Sequence, residues 1–252
     1  MNYICLLSVR PTIDTYNFFK YIKQNSSYEV LIVIDDNNYN IPNYDNEVKI
    51  IKINNQVCKK AGYYGSVLWV KDRACSRDKA LYYFNTNNIN YNYIWFVEED
   101  VFIPNISTII NMDNKYINDD LLCSSHEVIK EKQNDWHWEL VNSQIKVNLP
   151  YAKSMICAIR CSKKLMNCIN NYANRHKSLF LDEALFNTLA LQNNLSVNTI
   201  PELSSIIYER FWKLEEFKIT NLYHPVKNIK RQLKIRSHIN TINTDNKNII
   251  TI

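Results

Sequence analysis

The sequence predicts an α/β domain built on a single, mostly parallel central sheet flanked by helices. Three observations predict it. Short apolar runs alternate with segments of helical spacing from the first residues on, the order in which parallel strands and crossover helices follow one another. Two runs, EVLIVI at Glu29–Ile34 and YIWFV at the head of Tyr93–Pro104, are almost wholly apolar, as strands buried on both faces read. Both run straight into carboxylates, Asp35 and Asp36 after the first and Glu98, Glu99 and Asp100 after the second. A dry strand interior cannot hold unpaired charges, so these acids belong where strands leave the sheet. In open α/β sheets that is also where ligands bind.

Composition narrows the class. The chain has 252 residues, 46% hydrophobic and 22% charged, enough apolar material for a real core. Only 2 glycines are present, which excludes a glycine-rich nucleotide loop. Asparagine is abundant and tolerates positive φ, so it takes over many turns. The net charge of +5 is mild, favouring anionic ligands without singling out nucleic acid, and no nucleic-acid partner is expected. Seven cysteines carry no CxxC pair and predict reduced, buried thiols in a cytoplasmic setting. No apolar stretch of ~18 residues predicts a membrane span.

The elements follow in order. Tyr3–Val9 is a first strand, ended by Arg10 and Pro11. From Thr12 to Gln24, Ile13, Tyr16, Phe19 and Ile22 recur at helical spacing, with Thr12 or Asp14 as cap. Glu29–Ile34 and Val48–Ile53 are the second and third strands. Cys58–Val70 holds both glycines, and Asp72–Phe84 reads as a helix with Arg73, Arg77 and Lys79 on a basic side. That face is either solvated or reaches a diphosphate. Asn85–Tyr91 is a polar loop into Tyr93–Pro104. A short helix at Ser107–Asn118 and a short strand at Leu121–Ser125 follow. His126–Glu139 lacks periodicity and reads as a loop over the sheet. It carries Trp136, His137 and Trp138, which either stack on sugar rings or anchor the loop. Tyr151–Arg160 reads as one strand, Ser162–Tyr172 as a helix, and Asp182 to Gln192 as another. Asp182 and Glu183 then stand at a helix N-terminus, where the dipole holds carboxylates low. Leu195–Ile200 and Phe217–Tyr223 are late strand candidates around a mixed Pro201–Phe217. The domain spans 1–226, divided into halves 1–104 and 105–226. Residues 227–252 form a tail, basic from Lys227 to Arg236, fraying over its last ~12 residues.

An acidic triplet at a strand end asks for a neutraliser, and a hard divalent cation carrying phosphate is the economical one. Taken together, LSVR, VIDD, SRDKALYYF, YIWFVEEDVFIP, FLDEALF and NLYHPVK resemble nucleotide-sugar glycosyltransferases of the A-type, Rossmann-like fold, of the small viral or bacterial kind. The resemblance runs from Tyr3 to Lys227 and rests on the order and spacing of the pieces. It implies that Ser8, Val9 and Arg10 meet the nucleotide and that Asp35 or Asp36 touches its base or ribose. It implies a Mn²⁺ or Mg²⁺ ion held by Asp100, Glu98 and the late His224, with Glu99 beside the donor. Arg73, Arg77, Lys79 and Lys227 are then donor-side cations. Trp136, His137 and Trp138 are acceptor contacts, and Asp182 or Glu183 is the general base. Glutamate replaces the family's usual first aspartate at position 98.

The expected function is therefore metal-dependent transfer of a sugar from a nucleotide-diphosphate sugar, UDP favoured, to a glycan or other hydroxyl acceptor, with inversion. A nucleotidyltransferase acting on sugar phosphates is the alternative enzyme, but SVRPTIDT lacks the glycine-rich loop it needs. A non-catalytic carbohydrate- or nucleotide-binding protein is the alternative of another class. The basic segment adds an expected peripheral contact with a membrane surface.

Overall fold

The structure is a computed structural model that describes residues 1–69 and 73–249 and, beyond Ile239, the backbone alone. Val70 and Asp72, the ends of two expected segments, lie outside the described residues. In chain order the elements are β1 (Asn2–Ser8), α1 (Ile13–Gln24), β2 (Glu29–Ile34), β3 (Lys49–Lys52), α2 (Asn55–Ala61), α3 (Ser76–Thr86), β4 (Tyr93–Glu98) and α4 (Ile106–Lys115). There follow β5 (Leu121–Cys123), β6 (Glu127–Ile129), α5 (Trp138–Gln144), β7 (Tyr151–Lys153), β8 (Ala158–Ser162), α6 (Lys163–His176), α7 (Asp182–Gln192), β9 (Val197–Thr199) and α8 (Ile229–Ile249).

Seven strands form the central sheet in the order β3-β2-β1-β4-β8-β5-β9. The expected α/β class holds. β3, β2, β1 and β4 are mutually parallel, and β5 and β9 are parallel, while β8 runs antiparallel between β4 and β5. Alternation along each strand divides the core in two. Cys5, Leu7, Leu31, Val33, Ile94 and Phe96 face α3, α6 and α7. Ile4, Leu6, Ile32, Trp95 and Val97 face α1 and α4. Side-chain caps set the helix starts: Thr15 N donates to Thr12 Oγ1 at 3.2 Å, and Leu165 N to Ser162 Oγ at 3.2 Å.

Several expected elements differ. Tyr151–Arg160 is not one strand. β7 pairs with β6 in a separate ribbon, the chain leaves at Ser154, whose N–H donates to Glu183 O at 2.9 Å, and β8 begins at Ala158. Phe217–Tyr223 makes only a bridge, Phe102 to Tyr223. α2 was hidden in an asparagine-rich stretch, where Gln56 N donates to the capping Asn54 Oδ1 at 2.8 Å. Residues 227–239 are no free tail. Ile235 and Ile239 of α8 join Phe102, Trp212, Phe217, Tyr223 and Val226 in a third apolar cluster. The backbone of α8 is helical as far as Ile249. Among the described residues no helix is long and apolar enough to cross a membrane.

Gly62 ends α2 at φ +85°, and a Cβ there would stand 2.4 Å from Ala173 O. Gly62→Ala combines left-handed strain with a backbone clash. It is expected to cost at least about 1–2 kcal/mol, read as a lower denaturant midpoint with unchanged slope. An unshifted midpoint would contradict this close approach of α2 to α6.

Candidate active site

Topology brings the polar residues to one edge. In the parallel register Ser8 lies beside Ile34 and Leu7 beside Glu98, so β1, β2 and β4 end together. Because β8 is antiparallel, its beginning meets their ends: Glu98 N donates to Cys157 O at 2.9 Å. Beyond the turn the chain pairs with the 223–226 segment, Val226 N donating to Asp100 O at 2.7 Å. That pairing sets His224 next to Asp100, with Nε2 3.4 Å from Oδ2. On the far side of the ring, Nδ1 donates to Ile207 O at 2.6 Å. A ring tied at one nitrogen and facing a carboxylate with the other is oriented as metal-binding histidines are.

The acidic triplet divides. Glu98 and Asp100 line the same cavity as His224. Glu99 turns to β1, where Ser8 Oγ donates to its Oε2, and burial pushes its carboxyl above the usual range. Alternate residues therefore share the cavity. Burial works against charge on His224, yet the hydrogen bond and charge of Asp100 outweigh it and raise the ring above its ordinary pKa. Among the described residues, the side chains whose ligand atoms lie within 4.8 Å of one another are Glu98, Cys157 and His224, and Asp100 stands beside that group on His224.

Arg77 is the hub behind this wall. It is buried, with Nη2 2.6 Å from Glu98 Oε1 and 3.1 Å from Ile156 O, and Nε 3.0 Å from Asp182 Oδ2. One guanidinium thus serves two carboxylates while Asp100 and Glu183 line the same cavity, so the wall keeps an excess of negative charge. Asp182 is not held low by its helix. Burial pushes its carboxyl up to about 7, with Arg77 opposing. At the start of its helix Glu183 N donates to Asp182 Oδ1 at 2.9 Å. Burial, then the charge of Glu98, raises Glu183 as well.

Two cavities meet at Glu183. One, of about 390 Å³, is lined by Glu98, Asp100, Asp182, Glu183, His224 and Lys227. The other, of about 460 Å³, is lined by Trp136, His137, Lys153, Glu183, Tyr208 and a group of serines. A shallower groove of about 350 Å³ continues past Asp100 and Lys227 to Val9 and Ser76.

The remaining expected site residues divide as follows. Arg10 pairs with Asp36 at 2.7 Å, and Arg73 approaches Asp35 at 3.8 Å, at the ends of β1 and β2. The N–H of Asn38, then Arg10, hold Asp36 below the usual carboxylate range. Lys79 does not reach the cleft. It is buried, and its Nζ donates to the carbonyls of Ile34 and Asp35 and to Asn37 Oδ1, where burial lowers its pKa. Arg77 is likewise consumed inside the wall. Trp138 is no acceptor contact, since it opens α5 in the core, stacked on Tyr151 at 6.0 Å. The sequence reading passed over Cys157, Trp69 and Tyr208. Cys157 was concealed in an apolar run whose break depends on tertiary pairing. Trp69 and Tyr208, exposed by 70% and 79%, stand at the rim of the acidic cavity, and an isolated large aromatic in a segment without periodicity was their signal.

Behind the site, Gln232 of α8 donates from Nε2 to Glu99 O at 3.1 Å and Val226 O at 2.9 Å. Arg236 donates to Gln232 Oε1 at 3.0 Å and to Ile103 O at 2.9 Å. The helix thereby ties the acidic turn to the segment that carries His224.

No protein-family model matches the chain, and no curated protein sequence matches it. Among solved structures, the galactosyltransferase LgtC in complex with donor and acceptor sugar analogs is similar at 9% identity and a TM-score of 0.41, over 94% of this chain and 96% of that one. An active-site mutant of LgtC is similar at 10% identity and a TM-score of 0.43, over the same 94% and 96%. Likeness this slight leaves the chemistry to the residues themselves.

Proposed function

We propose that this protein is a Mn²⁺- or Mg²⁺-dependent glycosyltransferase that moves a sugar from a nucleotide-diphosphate sugar, UDP favoured, to a hydroxyl acceptor with inversion. The observation that carries the reading is the position of Glu183, in the wall shared by an acidic cavity and an aromatic one. Glu98, Asp100 and His224 would hold the ion. When bound, the ion supplies positive charge against the diphosphate leaving group. Lys227 borders both the acidic cavity and the Val9 groove and adds a cation on that side. Ser8, Val9 and the paired acids Asp35 and Asp36 mark the nucleoside end. Trp136, His137 and Tyr208 offer ring faces and edges to an acceptor sugar. Glu183 accepts the acceptor hydroxyl's proton while that oxygen attacks the anomeric carbon. Attack from the side opposite the diphosphate inverts that carbon. Asp182 stays on Arg77 and positions the start of α7. We place the chain in a reducing, cytoplasmic compartment because its seven cysteines are free, six of them buried. The exposed Lys227, Lys230 and Lys234 keep the proposal of peripheral membrane contact, although Arg236 is buried and withdrawn from it.

A thermal-shift panel of nucleotide sugars with and without Mn²⁺ tests the reading. A donor at 100 times its Kd stabilises by about 2.7 kcal/mol, or about 5–10 °C for a domain of this size. The shift is expected only when metal and donor are present together. No shift with any nucleotide sugar would overturn the proposal.

A further inference from the structure

Cys157 is the member of this cluster that sugar transfer leaves unused. It is buried directly across from Glu98, on the strand-to-strand hydrogen bond from Glu98 N to Cys157 O. Ligand atoms of Glu98, Cys157 and His224 all lie within 4.8 Å of one another. Asp100 Oδ2 adds a further oxygen 3.4 Å from His224 Nε2. Two ligands each about 2.1 Å from a tetrahedral ion stand about 3.4 Å apart, so the histidine and aspartate already have that spacing. The ring is fixed by its bond to Ile207 O, and Glu98 is held on Oε1 by Arg77.

Thiol, imidazole and carboxylates form a donor set for Zn²⁺. Mg²⁺ and Mn²⁺ prefer hard oxygen ligands and gain nothing from sulfur. We propose that Cys157 makes this centre a zinc site: Zn²⁺ binds Glu98, Cys157 and His224, in competition with Mn²⁺ or Mg²⁺. The Cys157 thiol gives its proton to solvent as the Zn–S bond forms, and no redox change occurs. Zinc held on the thiolate takes Glu98 and His224 away from the ion that the transfer uses. Zinc therefore inhibits where manganese activates. The inference rests on the transferase reading only for that inhibitory sense, because binding itself depends on the three side chains.

Co²⁺ serves as the spectroscopic probe, titrated into the whole metal-free chain. A cobalt–thiolate charge-transfer band in the near ultraviolet, with strong tetrahedral visible bands, is expected for the wild type. Zn²⁺ should bleach both. Cys157→Ser and Cys157→Ala should lose the thiolate band and weaken Zn²⁺ binding by about 10-fold or more, the least that a metal ligand's supporting partner costs. Mn²⁺ binding, followed by paramagnetic resonance, should be unchanged in both. Co²⁺ bound to the wild type without a thiolate band overturns the inference, and that result needs no variant to fold. So does Zn²⁺ affinity that is unaltered in folded Cys157→Ser. Either result with normal Mn²⁺ binding leaves the transferase reading standing. Failure of the wild type to bind Mn²⁺, with the thiolate band present, would sink that reading and keep the zinc site.

Discussion

Asp100→Ala is expected to abolish metal-dependent donor binding, with Mn²⁺ affinity falling by about 100-fold or more, beyond the cost of losing a mere supporting group. The backbone at this position is held independently of the side chain, since Asp100 O accepts from Val226 N. The turn should keep its shape, so the loss belongs to the carboxylate. Asp100 also sustains the raised pKa of His224. An ion must displace the ring proton that this pairing favours, so wild-type Mn²⁺ affinity should fall as pH falls through the range where the ring charges. Calorimetric titration of nucleotide with and without Mn²⁺, in wild type and variant, measures the effect. A variant whose nucleotide binding still depends on Mn²⁺ as in the wild type would move the metal elsewhere. Asp100→Asn keeps the volume and separates lost charge from lost packing.

Glu183→Gln should reduce kcat by about 10²–10⁴, the usual contribution of a positioned general base, with KM for the donor little changed. The carboxyl acts as a base only when ionised. Burial and the charge of Glu98 raise its pKa, so wild-type kcat should climb with pH through a point above the ordinary glutamate value and then level off. The variant should lack that limb. Asp182→Asn distinguishes the two neighbours: it weakens the partner of Arg77 without removing the group that borders both cavities. A wild-type rate in Glu183→Gln, or a pH limb that survives in it, would remove Glu183 from the role of base.

The strands that build the edge carrying the candidate site were legible because β1, β2 and β4 are buried on both faces and need no partner to be seen. The acids closing β2 and β4 were legible for the same reason, charges being excluded from the dry runs before them. β8 was not. Its direction and its start at Ala158 follow from pairing with β4, a contact between residues some sixty positions apart that leaves no local mark. Cys157 was lost with it. Arg77 and Lys79 show a second limit. Both lie on the helix face that composition paints as basic, yet each is buried on a partner distant in sequence, Glu98 and Asp182 for one and the end of β2 for the other. Trp136 and Trp138 pack ring to ring with centroids 4.9 Å apart, yet only the second is buried, because α5 opens at Trp138 and turns it into the core.

The brace supplied by α8 carries a consequence for how the molecule is made. Gln232 reaches the carbonyl of Glu99 across a separation of 133 residues. At translation rates of about 5–20 residues per second, roughly 7–27 s pass between the synthesis of the acidic turn and that of its clamp. Early in that interval the nascent chain carries the acidic turn alone; Asp182 and Glu183 are added part-way through, and His224 and the helix that holds the turn against it come last. The centre is thus a late product of folding, assembled after the sheet that supports it. A ribosome halted just before α8 would leave a chain with all the proposed chemical groups of the site but without the brace from Gln232 to the carbonyls of Glu99 and Val226.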